Sequence, residues 1–205
     1  VAEPILAARP ALPQLRAGLR LGRAEGPAGV RVAECADVAL ATVAPGRGRR
    51  AAVREALHGA FGVAPPDGMA AACGAGLLIA AAERGAWLVA APRGRDVAAL
   101  CRAAVADMAA VVDQSDGRAL LRLGGPRVAE TLAKGLEIDL HPRAFPAGSV
   151  ALTALSHLPV TIWRRDEPPV FEMLVPRPAA ADIWHWLQEA AAEFGLEVEE
   201  GAAWG

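Results

Sequence analysis

Tyrosine is absent from the 205 residues, and lysine occurs once, at Lys134. No phenol can act as acid, base or nucleophile, and nearly all positive charge is carried by arginine. No basic block stands out and the formal net charge is -2, which argues against nucleic acid, whose phosphates demand clustered cations. Cysteine is sparse. Cys35, Cys73 and Cys101 are far apart and form no C-x-x-C pair, so neither a zinc knuckle nor a disulfide framework is expected, and a reducing cytoplasm fits. Long apolar runs are missing too. The most apolar stretch, Gly74–Ala82, is too short to span a bilayer. Val1–Leu12 lacks the basic start and apolar run of a signal peptide. No membrane partner is expected.

What is present is a chain with 54% hydrophobic and 21% charged residues, the balance of a packed globular protein. Residues 1–27 are rich in Pro, Arg and Gly and read as an arm lying on something else. Beyond them, β-type runs occur at Val30–Val32 and Val38–Val43. Val53, Leu57, Ala60 and Phe61 fall at helical spacing within a helix over Arg49–Phe61. Gly62–Gly76 reads as a loop. Leu77–Ala81 and Trp87–Ala91 form a hairpin around Glu83-Arg84-Gly85. A helix over Asp96–Met108 and a strand at Ala110–Val112 complete the order β-α-β-β-α-β, a split βαβ unit of ferredoxin-like type.

The second half repeats that order. Strands fall at Arg118–Leu123, Val150–Ser156, Val160–Arg164 and Val170–Val175, with Asp166-Glu167-Pro168-Pro169 turning between the last two. Pro126–Lys134 is a short helix, with Pro at its start and Gly135 past its end. The last helix, Ala179–Phe194, points Ile183, Trp186, Leu187, Ala190, Ala191 and Phe194 inward, and Leu196–Val198 closes the sheet. The expected fold class is α+β. An arm (1–27) precedes two tandem ferredoxin-like βαββαβ units (28–115 and 116–205) packed together.

Few motifs point to chemistry. Asp113 and Asp116, in Asp113-Gln114-Ser115-Asp116-Gly117, are either paired carboxylates or, as the commoner use of these residues, a turn. Leu123-Gly124-Gly125-Pro126-Arg127 resembles an anion-binding strand–helix junction, but Pro126 removes an amide donor and no nucleotide fingerprint is present. His58, His141, His157 and His185 share no metal-ligand spacing, and no Gly-x-Ser-x-Gly elbow occurs. No catalytic, cofactor-binding or metal residue is assigned. The least ordinary segment is Asp139-Leu140-His141-Pro142-Arg143-Ala144-Phe145-Pro146, a proline-stiffened loop that is either a rigid cover over the core or a contact surface. Asp139, Leu140, His141, Arg143 and Phe145 are candidate partner contacts. So is Trp184, which points away from the expected core face of its helix.

Taken in order, Val112–Ser115, Leu121–Arg127, Leu132–Gly135, Ile138–Pro146, Val160–Trp163, Leu174–Arg177 and Trp184–Leu187 resemble the sarcosine oxidase gamma subunit family. The resemblance implies the fold of the folate-binding aminomethyltransferases. Those enzymes carry an acidic residue near folate on a hairpin of the first unit. The matching place here, Gly76-Leu77-Leu78-Ile79, has no carboxylate, as expected of a relative that has lost catalysis. In the next family hairpin Trp87 and Leu88 match, but the residues before them do not. The implied role is a non-catalytic structural subunit of a heterotetrameric complex oxidising sarcosine or a related N-methyl amino acid. Alpha, beta and delta-like partners would then hold FAD, FMN, NAD and tetrahydrofolate, with no cofactor in this chain. The alternative is a stand-alone folate-binding protein or aminomethyltransferase-like enzyme. A subunit of this kind should leave apolar surface exposed near Leu140–Phe145, Trp184 and the arm.

Overall fold

A computed structural model describes residues 9–82, 85–165, 168–201 and 204. The residues Glu83-Arg84 and Asp166-Glu167 of two expected turns, and 1–8 of the arm, lie outside them. Two antiparallel-rich sheets pack back to back, each covered on its outer face by two helices.

The five-stranded sheet has the order β4-β5-β6-β3-β7. Its strands are β3 (Val38–Pro45), β4 (Ala71–Gly74), β5 (Leu77–Ala81), β6 (Trp87–Pro92) and β7 (Ala109–Asp113). Helix α1 (Arg50–Phe61) follows β3, and α2 (Val97–Val105) follows β6. Without β4, the order β7-β3-β6-β5 is that of a ferredoxin-like unit. Val53, Leu57 and Phe61 of α1, with Val97, Cys101 and Val105 of α2, pack on Val43, Ile79, Trp87 and Val89 of the sheet. Ala60, expected on the buried face, is exposed. Gly62 ends α1 in the left-handed conformation (φ 69°), its N–H donating to His58 O. Asp96 caps α2, accepting from Ala99 N at 2.9 Å.

The seven-stranded sheet has the order β1-β12-β2-β8-β11-β10-β9. Its strands are β1 (Arg20–Leu21), β2 (Val30–Glu34), β8 (Arg118–Gly124), β9 (Val150–Leu155), β10 (Leu158–Arg164), β11 (Phe171–Pro176) and β12 (Leu196–Val198). Helices α3 (Val128–Ala133) and α4 (Ala180–Ala191) cover it. Here the start expected for the first unit, residue 28, differs from the sheet pairing, while the break near residue 115 coincides with the step from β7 to β8. Val30–Glu34, assigned to the first unit, lies in the second sheet, antiparallel to β8 and parallel to β12. Val30 and Val32 complete the core under α3 and α4. Cys35 to Asp37 then carry the chain across to the other sheet.

The arm is also internal. Both oxygens of Glu34 accept from its backbone, from Ala11 N at 2.6 Å and Leu12 N at 3.0 Å. Leu12 is buried in the core, with Leu15, Leu19 and Leu21 packed against it. From Ala11 onward the arm therefore lies on this chain's own second unit.

The Gly-Gly-Pro-Arg element is a close approach of backbones. Gly125 has φ +105°, and a Cβ there would lie 2.5 Å from Gly29 O. Arg127 N donates to that same Gly29 O at 2.9 Å. Gly125→Ala should lower stability by roughly 2–4 kcal/mol, because strain and overlap coincide; chemical denaturation of the variant checks this.

Candidate functional site

The strongest polar constellation lies between the sheets. Arg122 on β8, Glu172 on β11 and Trp163 on β10 form a cross-strand row, since Glu172 is in register with both neighbours. Glu172 is fully buried. Its Oε1 accepts from Arg122 Nε (3.0 Å), Arg122 Nη2 (2.6 Å) and Arg165 Nη1 (3.2 Å). Its Oε2 accepts from Trp163 Nε1 at 2.7 Å. Around this row pack Leu40, Leu78, Leu88, Leu120 and Leu174, from the inner faces of both sheets.

The space between the units therefore does contain a carboxylate, supplied by the second unit. Leu77, Leu78 and Ile79, at the place where the family resemblance puts an acidic group, are buried apolar strand residues. Both Glu172 oxygens are occupied by donors of this chain, so the carboxylate acts as a tie. Sequence reading missed it. The available signal was a glutamate inside the apolar strand Phe-Glu-Met-Leu-Val and an arginine inside Leu-Leu-Arg-Leu-Gly.

The proline-stiffened loop turns out to be a plug. Asp139 Oδ1 accepts from His141 N at 2.8 Å, and His141 Nδ1 accepts from Arg143 N at 3.2 Å. Leu140 and Phe145 are buried, and Phe145 stacks on Phe171 at 6.5 Å between centroids. Phe145 O accepts from Nη1 of the buried Arg164 at 3.1 Å. Two of the expected contact residues, Leu140 and Phe145, are thus core, while Asp139, His141 and Arg143 are exposed.

Trp184 is corrected in the same sense, being only 3% exposed. Positions 180, 184, 187 and 191 line one helix face, and all four are buried. Trp186 sits at the border of that face, half-buried, with its ring over Gly135, where a Cβ would come within 2.4 Å. The apolar side chains expected to be exposed at Leu140, Phe145, Trp184 and, among the described residues of the arm, Leu12 are therefore consumed by the fold. Large exposed apolar side chains are found instead at Met69, Leu100 and Val112.

The remaining motifs are structural. Ser115 N donates to Asp113 Oδ1 at 2.9 Å, which holds that carboxyl below the usual range, and Asp116 pairs with Arg93. Ser115 Oγ accepts from Leu40 N at 3.0 Å. The segment is a turn clipped to β3. All four histidines are exposed. Among the described residues no group of three or more His, Cys, Asp or Glu could hold a metal, and no helix is long and apolar enough to cross a membrane.

With this geometry in hand, comparison with known proteins is decisive. The model of the sarcosine oxidase gamma subunit family matches residues 45–193. The chain belongs to that family. The sarcosine oxidase subunit gamma of Corynebacterium sp. (strain P-1) is 33% identical over 168 residues, covering 78% of this chain and 81% of that protein. That of an Arthrobacter sp. is 36% identical over 110 residues, 53% of each chain. Among solved structures, a chain of the heterotetrameric sarcosine oxidase from Corynebacterium sp. U-96 superposes with a TM-score of 0.73 at 28% identity, covering 83% of this chain and 87% of that one. The glycine cleavage system aminomethyltransferase T of Bartonella henselae matches with a TM-score of 0.57 at 15% identity, over 85% of this chain and 48% of that one. This shows the shared folate-binding-like fold.

Two measurements test the site. Glu172→Gln should cost about 2–4 kcal/mol in a denaturant melt, because two guanidinium groups lose their counter-charge while keeping part of their surface in solvent. Burial pushes the Cys35 thiol up to about 11 and the Cys101 thiol up to about 12, whereas Cys73 is exposed. One thiol should react rapidly with a disulfide reagent in the native chain and three in denaturant, with Cys73→Ala removing the fast one. Unfolded thiols ionise near their ordinary value of 9.0, before the buried ones do. The unfolded state therefore loses protons first, and these two cysteines should make stability fall as pH rises from 9 toward 11 and beyond.

Proposed function

We propose that this chain is a non-catalytic structural subunit of a heterotetrameric, cytoplasmic sarcosine oxidase-type complex that oxidatively demethylates sarcosine or a related N-methyl amino acid. The observation that carries the reading is the near whole-length match to one chain of a heterotetrameric sarcosine oxidase, joined to membership in the gamma subunit family. FAD, FMN, NAD and tetrahydrofolate are assigned to alpha, beta and delta-like partners. Asp139, His141 and Arg143 remain candidate contacts to those partners, displayed on a loop that Leu140 and Phe145 hold rigid.

The physical support lies between the sheets. A ligand-binding cleft keeps polar groups free to meet its ligand, whereas here Glu172 is tied by two arginines and a tryptophan, and leucines fill the space beside it. Co-purification through an affinity tag should recover larger flavin-containing chains. Calorimetry of the isolated chain with a reduced folate should give no measurable heat of binding. Tight folate binding or turnover by the single chain would favour the aminomethyltransferase-like alternative.

A further inference from the structure

The two sheets part at the end of their interface opposite the β4–β5 turn. The opening is a hollow of about 120 Å³ lined by Thr42, Leu88, Gln114, Arg118, Thr161 and Leu174, among others. It adjoins a groove of about 260 Å³ running over Arg118, Leu152, Pro159 and Thr161. Arg118 is common to both. It is half-buried, and its guanidinium makes no hydrogen bond or ion pair among the described residues.

Several exposed arginines also lack a partner, but among the described arginines that are buried or half-buried Arg118 alone does. Arg122 and Arg165 share Glu172, Arg164 donates to Phe145 O, Arg93 pairs with Asp116, and Arg54 pairs with Asp67. No carboxylate lines either part of the opening among the described residues. A solvated guanidinium at the mouth of a cleft, beside leucine and proline and without a counter-charge from this chain, is open to a carboxylate, its best-matched partner. Beside it lies exposed apolar surface. Val112 is 52% exposed on the edge strand β7. It is in register with Thr42 and so stands on the same sheet face, at the rim of the hollow.

We propose that this opening is a docking surface for a partner subunit, occupied by an acidic side chain that pairs with Arg118 and an adjacent apolar side chain that covers Val112. The inference deepens the subunit reading and rests on it. A protein segment is favoured over a small solute because the opening is a shallow groove beside exposed apolar surface, whereas small-molecule sites enclose most of their ligand. A half-buried arginine beside an apolar contact is the usual composition of an interface anchor.

The test uses the full-length tagged chain co-expressed with its cognate large subunits, as wild type, Arg118→Gln, Arg118→Glu and Val112→Ser. The Arg118 side chain has no partner among the described residues, so thermal melts of the free variants should match wild type; if the charge reversal fails to fold, the other two suffice. Association measured by sedimentation should weaken roughly 30-fold or more in Arg118→Gln and less in Val112→Ser. Its salt dependence should become shallower in Arg118→Gln. Wild-type association with Arg118→Gln and Val112→Ser unchanged would overturn this inference and leave the subunit reading standing. Failure of the wild type to associate would overturn both. Acetate titrated into the free chain and followed by NMR addresses a small-solute site. Saturation in the low millimolar range, lost in Arg118→Gln, would assign the cleft to a solute and overturn the docking proposal.

Discussion

A carboxylate without water must be surrounded by donors, and that constraint on Glu172 organises the contact between the two sheets. Cross-strand register puts Arg122 and Trp163 on either side of it, and Arg165 reaches it from the end of β10. The row sits on the inner face of the seven-stranded sheet, against which the five-stranded sheet packs Leu40, Leu78 and Leu88. Breaking such a cluster is costly even where building it contributes little net stability, because each remaining charge is left without its partner. The row therefore does more to specify how the sheets meet than to add to the stability of either.

Glycine sets the second constraint, at the junctions of the larger sheet. Gly29 and Gly125 let β2 and the start of α3 meet backbone to backbone, and Gly135 lets Trp186 lie flat against the end of α3. The only lysine, Lys134, lies at this same corner, donating to Ala190 O and Glu193 and sitting 4.7 Å from the Phe194 ring centroid. The two most recognisable sequence motifs, Gly-Gly-Pro-Arg and the proline-stiffened loop, are thus packing devices of one sheet.

Periodicity made much of the fold legible. The apolar spacing in α1 and α2, the capping Asp96 and the terminating Gly62 all express local physics, and these elements stand where their patterns place them. The paired βαββαβ order was legible for the same reason. What local pattern could not show was the sheet in which a strand pairs. Val30–Glu34 precedes β3 by three residues and yet crosses to the other sheet, because Val30 and Val32 complete a core formed by residues more than 85 positions later in the chain. The exchange of Trp184 for Trp186 has a similar origin. Both fit a wide apolar stripe, and Gly135, which accommodates the Trp186 ring, is about fifty residues away in sequence. Glu172 was hidden because one charge in an apolar strand has no meaning until its cross-strand neighbours are known.

These internal demands bear on how such a chain can join an assembly. Leu140, Phe145, Trp184 and the arm from Leu12 onward are committed to its own core. An obligate interface that resembles a core cut in half needs a broad apolar face, and among the described residues the exposed large apolar side chains, Met69, Leu100 and Val112, are too few to form one. A fold finished in this way would, under the docking proposal, meet a partner through edges, loops and isolated charges. Affinity in that regime comes from a few well-placed anchors, and area counts for less. Under that proposal the half-buried Arg118, which the fold leaves without a counter-charge, and the exposed Val112 beside it would serve as such an anchor.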